Sequence, residues 1–197
     1  MFKTCKPLIL ASSSPRRQQF LTDLGLTFSC LPADIDETPK TGETPIAFAL
    51  RLALAKAEII AEQHPQAYVI GSDTVVTLSD RILGKPADAA HALDILSSLQ
   101  GKTHQVITGL SLTCLQDNCF ENLTRTTNVT FSAFSDSILR AYIRTEEPMD
   151  KAGAYGIQGK GSFLVRTIQG SCSNVIGLPV NTCTSLLLQY GVIIPNP

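Results

Sequence analysis

The apolar positions of this chain switch repeatedly between the period of a strand and that of a helix. Residues 7–12, "PLILAS", form a short apolar run that predicts a buried strand. Ser14-Pro15 then offers an N-cap followed by proline at the first helical position, and the helix so begun is expected to end near Gly25. "TFSCL", residues 27–31, reads as a strand, and "PADIDETPKTGE", residues 32–43, as a polar, acidic loop. From Thr44-Pro45 onward, Ile46, Leu50, Ala53, Leu54, Ala57, Ile60 and Ala61 recur at offsets of three and four. That spacing predicts an amphipathic helix with Arg51 and Lys56 on its polar side.

"AYVIGSDTVVTL", residues 67–78, is strand-like on both flanks of a polar break at Gly71-Ser72-Asp73, and "LSDR" is expected to turn into a returning strand, "ILGK". Pro86-Ala87-Asp88 opens a helix through Ala92, Leu93, Leu96 and Leu99, stopped by Gly101. Two long β-rich runs between His104 and Phe131 are joined by "QDN". Ser135 or Asp136 caps a helix to about Thr145, a glycine-dense segment "DKAGAYGIQGKGS" follows, then a strand "FLVRTIQ" and a last helix from Pro179. Helices alternating with strands, together with a long antiparallel hairpin, predict an α/β fold with a mixed twisted sheet and flanking helices.

Composition narrows the function without fixing it. At 197 residues, with 44% hydrophobic and 17% charged residues, the chain fits one globular domain or two small lobes. A formal net charge of -1 gives no basic face for nucleic acid, so no nucleic-acid partner is expected. The apolar run Leu8 to Ala11 is shorter than the ~7–15 residues of a secretion signal, and no run approaches the ~20 of a membrane span. A cytoplasmic protein with no membrane partner is expected. The 6 cysteines include no CxxC pair and the 3 histidines lie away from them, which argues against a zinc site. Cys114 and Cys119, flanking the hairpin turn, are expected to be free thiols.

Four segments carry candidate chemistry. In Ser12-Ser13-Ser14-Pro15-Arg16-Arg17, a strand ends in hydroxyl residues and enters a helix, where backbone N–H groups and an arginine can hold phosphate oxygens. A plain N-cap with solvated arginines is the alternative, although two cations at a helix N-terminus oppose the macrodipole unless an anion joins them. Asp73 interrupts a β-branched run, where a carboxylate serves as metal ligand or general base, or is satisfied by nearby amides. Lys56, Lys85 and the acidic loop with Asp34, Asp36 and Glu37 could supply the cations and carboxylates that a magnesium nucleotide requires. Glycines 153, 156, 159 and 161 suggest a backbone that bends or approaches something closely, and Gln158 among them could read a base edge or stand as an exposed amide. Neither a Rossmann fingerprint nor a P-loop is present.

Taken in order, "LILASSSPRR", "RLALAKA", "GSDTVV", "LGKP", "GKTHQVITG", "DKAGAYGIQG" and "GSCSNVIGLPV" resemble the Maf family of nucleoside triphosphate pyrophosphatases over nearly the whole chain. The resemblance implies one Maf-like domain over residues 1–197, built as two lobes around a central cleft and often assembled as a homodimer. It implies hydrolysis of a nucleoside triphosphate to the monophosphate and pyrophosphate with a divalent cation, Mg²⁺ or Mn²⁺. "KAGAYGIQG" is similar to the branch acting on dTTP, UTP and modified uridine triphosphates. The resemblance further implies that Asp73 is the proton acceptor and that Arg16, Thr74 and Gln158 govern substrate choice. Ser12, Ser14, Arg16, Lys56 and Lys85 would contact phosphates, and Glu37 with Asp73 would hold the metal. Cys172 departs from the pattern, since an aromatic residue is expected in "GSCSN". The rivals to this reading are a non-catalytic nucleotide-binding regulator of cell division and a phosphohydrolase releasing orthophosphate.

Overall fold

The computed structural model describes residues 1–79 and 81–196, so the turn expected at 78–81 lies in part outside the described residues. The elements in chain order are β1 (Phe2–Thr4), β2 (Leu8–Leu10), α1 (Pro15–Asp23), β3 (Ser29–Cys30), α2 (Pro45–Gln63), β4 (Tyr68–Leu78), β5 (Arg81–Leu83), α3 (Ala89–Leu99), β6 (Thr103–Cys114), β7 (Cys119–Phe131), α4 (Asp136–Ile143), β8 (Val165–Gln169), α5 (Cys172–Ile176), α6 (Val180–Gln189) and β9 (Ile193–Pro195). Short 3-10 turns occupy Ala152–Ala154 and Lys160–Leu164. A seven-stranded mixed sheet runs in the order β3-β2-β4-β6-β7-β8, with β5 beside β4, while β1 and β9 form a separate pair. The chain divides into two compact units: Met1–Asp73 with Thr108–Arg125 and the stretch from Gly177, and Thr74–Ile107 with Thr126–Ile176.

In the first unit, β2 lies parallel to β3 and β4, with Ile9 opposite Val69 and Leu10 opposite Ile70. Side chains alternate across these strands. Leu8, Leu10 and Ile70 join Leu110, Leu112, Leu178 and Leu187 in one core, whereas Ile9, Ala11 and Val69 meet Ala57, Ile60 and Ala61 of α2. Thr44 starts α2 as expected, its hydroxyl accepting the Ala47 N–H.

The buried face of α2 differs from the predicted stripe. Phe48, Ala49, Leu52, Ala53, Lys56, Ala57, Ile60 and Ala61 are buried, while Ile46 is 49% exposed and Lys56 only 8% exposed. The cause is a close approach of backbones. A methyl group at Gly71 would lie 2.1 Å from the Ala53 carbonyl oxygen, and one at Gly109 would lie 2.2 Å from that of Ala49. Glycine in β4 and β6 therefore lets the helix sit on the sheet, and alanines must face it there. The break expected at Gly71-Ser72-Asp73 is likewise absent, because β4 runs without interruption from Tyr68 to Leu78. Gly71 marks the helix contact rather than the end of a strand.

In the second unit, β5 pairs antiparallel with β4 and β8 with β7, the latter with an irregularity at Thr130/Phe131. Val76, Leu96, Leu99, Val106, Val129, Phe131 and Leu139 form its core, with α3 packed against α4. Asp88 caps α3 through the His91 N–H, and Gly101, at φ +64°, follows it. The terminal pair β1–β9 and the short helix α5 are additions to the predicted set. Among the described residues no helix is long and apolar enough to cross a membrane.

Candidate active site

Burial of Lys56 gives the first unit its most informative polar cluster. The ammonium Nζ lies 2.7 Å from Asp73 Oδ1 and 2.6 Å from Glu37 Oε1. The Lys56 and Asp73 side chains are 10% and 14% exposed, and that of Glu37 is 56% exposed. A lysine so enclosed must be paired, and here one cation serves two carboxylates from different segments. The small side chains of α2 and Gly71 of β4 bring helix and strand close, so Lys56 reaches Asp73 on that strand.

Arg51, five residues earlier on α2, fixes the acidic loop. Its guanidinium donates to both oxygens of Glu43, at 2.7 Å and 2.8 Å, and to the Thr38 carbonyl at 3.1 Å. The bidentate contact with Arg51 pulls the Glu43 carboxyl down to about 2. Glu37 is thus held from its neighbour Thr38. Nothing in the local sequence announces this function of Arg51, because its partners lie eight and thirteen residues away.

The first motif holds a division of labour that its sequence does not reveal. Arg17 is turned inward: Nη1 donates to Ser12 Oγ at 3.1 Å and Nε to the Gly177 carbonyl at 2.8 Å. Burial lowers its affinity for its proton, while the negative charges of Asp73 and Glu37 raise it. Ser12 Oγ also accepts the Ser14 N–H, at 3.2 Å. Ser72, fully buried, lies 3.0 Å from the Gly109 carbonyl and 3.2 Å from that of Gly177, so its hydroxyl proton is shared between them. Gly177 itself adopts φ +130°. Ser14 caps α1 by position but contributes no side-chain capping bond. Arg16 stands half-buried at the start of the same helix.

The structure therefore brings Ser12, Glu37, Lys56 and Asp73 together with Arg17 in one unit, with Ser14 and Arg16 beside them. The other candidates belong to the second unit. Thr74 follows Asp73 on β4 and is half-buried, Lys85 is exposed after β5, and Gln158 is exposed in the glycine-dense loop. In that loop a Glu147 carboxylate accepts backbone N–H bonds from Lys160 and Gly161, each at 2.8 Å. No local pattern points to Glu147, whose contacts are thirteen and fourteen residues distant. Cys172 is exposed, and all six cysteines, Cys114 and Cys119 included, are free.

Among the described residues no three His, Cys, Asp or Glu side chains cluster in a way that could hold a metal by themselves. Glu37 and Asp73 nevertheless suit a hard divalent cation. Their oxygens contact one ammonium, and Mg²⁺ is commonly bound by one or two carboxylates with phosphate oxygens completing its shell.

Comparison with known proteins identifies the family. A family model described as Maf-like protein matches residues 7–190. A protein of Desulfotalea psychrophila named dTTP/UTP pyrophosphatase is 48% identical over 193 residues, covering 98% of this chain and 99% of that protein. One of the same name from Myxococcus xanthus is 47% identical, covering 95% and 94%. Another from Clostridioides difficile is 44% identical, covering 93% and 94%. Similarity of this degree, sustained from near one end of the chain to near the other, means that the protein belongs to the Maf family.

Proposed function

We infer that this protein hydrolyses dTTP, UTP and modified uridine triphosphates to the nucleoside monophosphate and pyrophosphate, by attack of water on the α-phosphorus. The observation that carries the reading is the Asp73–Lys56–Glu37 cluster, an ionic group from a strand, a helix and a loop of a chain whose relatives are named dTTP/UTP pyrophosphatases. The proposed place of action is the cytoplasm, where such nucleotides are made and spent.

Asp73 is the proposed proton acceptor. Water oxygen forms a bond to the α-phosphorus, its proton passes to the Asp73 carboxylate, and the bond to the bridging α–β oxygen breaks as pyrophosphate departs with the electron pair. Lys56, already within hydrogen-bond reach of Asp73, orients that carboxylate and presents positive charge to the phosphates. Arg16 and Lys85 add cationic charge, and Ser12 and Ser14, at the mouth of α1, line the phosphate end. A divalent cation held by Glu37 and Asp73 would supply charge neutralisation on the triphosphate and polarise the phosphoryl group when bound. Gln158 is the proposed base reader: its amide can accept from uracil or thymine N3–H while donating to O4. Thr74 and Arg16 share in substrate choice.

Product analysis with purified protein tests the reading. A panel of nucleoside triphosphates with Mg²⁺ should yield pyrophosphate from dTTP and UTP and little from purine nucleotides. Orthophosphate in its place would make the protein a phosphohydrolase. Nucleotide binding without any product would make it a regulator.

A further inference from the structure

We propose that Glu147 is a positioning residue for Gln158, fixing the turn that carries it and so helping to set base choice. The inference rests on the reading of Gln158 just given. Gln158 is exposed, so the region its amide can reach is set by the backbone that carries it. That backbone is tied on both sides to one carboxylate. After Gln158, Glu147 Oε2 accepts the Lys160 N–H and Oε1 accepts the Gly161 N–H, each at 2.8 Å. Before it, the Gly156 N–H donates to the Tyr142 hydroxyl at 3.2 Å, and that hydroxyl donates to Glu147 Oε1 at 3.0 Å. Both chains of contact converge within the second unit, and neither involves a residue of the ionic cluster.

The local backbone shows why a carboxylate is needed. Gly159, at φ +89°, bends the chain so that two successive amides point at one anion. A Cβ at Gly159 would lie 2.8 Å from Glu147 Oε2, and one at Gly161 would lie 2.4 Å from the Tyr142 hydroxyl oxygen, so the turn closes tightly around the pair. An amide at position 147 has one acceptor oxygen and would face at least one of these N–H groups with its own NH₂. Separately from the carboxylate, Lys151 Nζ donates to the backbone carbonyl of Glu147 at 2.6 Å, a contact that side-chain substitution at 147 leaves available. Burial would raise the Glu147 carboxyl, but the two N–H donors and the Tyr142 hydroxyl outweigh it and hold the group below its ordinary value.

Hydrogen–deuterium exchange over residues 156–162 and steady-state pyrophosphate release test this together, in the wild type, Glu147→Ala and Glu147→Gln. The wild type should exchange the Lys160 and Gly161 amides slowly. Glu147→Ala should exchange them about ten-fold faster or more, with Glu147→Gln between the two. In parallel, the ratio of kcat/KM for UTP over CTP should fall about ten-fold in Glu147→Ala, mainly through a raised KM for UTP, while kcat on the poorer substrate is retained. Fast exchange already in the wild type would overturn the proposal, as would unchanged exchange in the variants. Faster exchange with an unchanged UTP:CTP ratio would overturn it equally. An active wild type with such variants defeats this inference alone, whereas a wild type that releases no pyrophosphate from any nucleotide defeats the pyrophosphatase reading beneath it.

Discussion

Lys56 Nζ and Asp73 Oδ1 are 2.7 Å apart, joined between a helix and a strand that touch through glycine and alanine. The same ammonium holds Glu37 at 2.6 Å, so one buried cation organises both proposed metal-binding carboxylates before any substrate arrives. Pre-set polar groups of this kind stabilise developing charge with little reorganisation during the reaction.

Replacing that cation by an apolar chain of similar length isolates its contribution. Lys56→Met should retain the fold, because Glu37 is half solvated and Asp73 stays within reach of water. Its cost in stability should be about 1–2 kcal/mol once solvent screening is allowed for. Turnover of UTP should fall about 10²-fold or more, measured as pyrophosphate release at saturating substrate. A variant with near-normal kcat would limit Lys56 to a packing role.

Gly71→Ala probes the helix–sheet contact that places Lys56. The added methyl would meet the Ala53 carbonyl at 2.1 Å, a backbone atom that can yield only if α2 moves. A loss of about 3 kcal/mol or more is expected in urea unfolding, with activity falling alongside. Gly42→Ala is the control for space, since nothing lies within 4 Å of its added methyl, although its positive φ of 75° carries a small cost of its own.

Such contacts mark what the sequence could and could not reveal. Thr44-Pro45 and Asp88 were legible as helix starts because a cap acts within three residues. The hairpin from β6 to β7 was legible because both strands are long and the turn is short. Lys56 read as a polar-face residue because the apolar spacing of α2 fits two neighbouring stripes, and only Gly71 and Gly109 decide between them. Ile46 was misassigned for the same reason. The loop-holding contacts of Arg51 and Glu147 are not legible, because a side chain that fixes a distant loop leaves no local period or cap. The β1–β9 pair was missed because its register joins residues near opposite ends of the chain, Phe2 with Pro195.

His104 makes stability depend on pH. The ring is 1% exposed, Nε2 is hydrogen-bonded to the Tyr155 hydroxyl at 2.8 Å, and burial lowers its pKa to about 4. Its unfolded value is near 6.5, so between these limits the unfolded chain binds more protons and stability falls as pH falls. The slope is on the order of 1.4 kcal/mol per pH unit across that window, and the contribution is fully present above pH ~6.5. Urea unfolding at pH 7 and pH 4.5 should show a smaller loss for His104→Gln than for the wild type. Equal losses would place the acid sensitivity elsewhere.

Gln158→Ala should fold normally, since the side chain is exposed, and should lower the preference for UTP over CTP by about ten-fold. The readout is the ratio of kcat/KM values. An unchanged ratio would remove Gln158 as the base reader while leaving the hydrolytic reading intact.

In the proposed reaction, water activated by Asp73 attacks the α-phosphorus. Hydrolysis of UTP in ¹⁸O-labelled water, with both products examined by mass spectrometry, addresses it most directly. One labelled oxygen is expected in the nucleoside monophosphate and none in pyrophosphate, with a rate lower by ~10²–10⁴-fold in Asp73→Asn and its folded structure unchanged. Label in pyrophosphate, release of orthophosphate, or a near-normal rate in Asp73→Asn would contradict it.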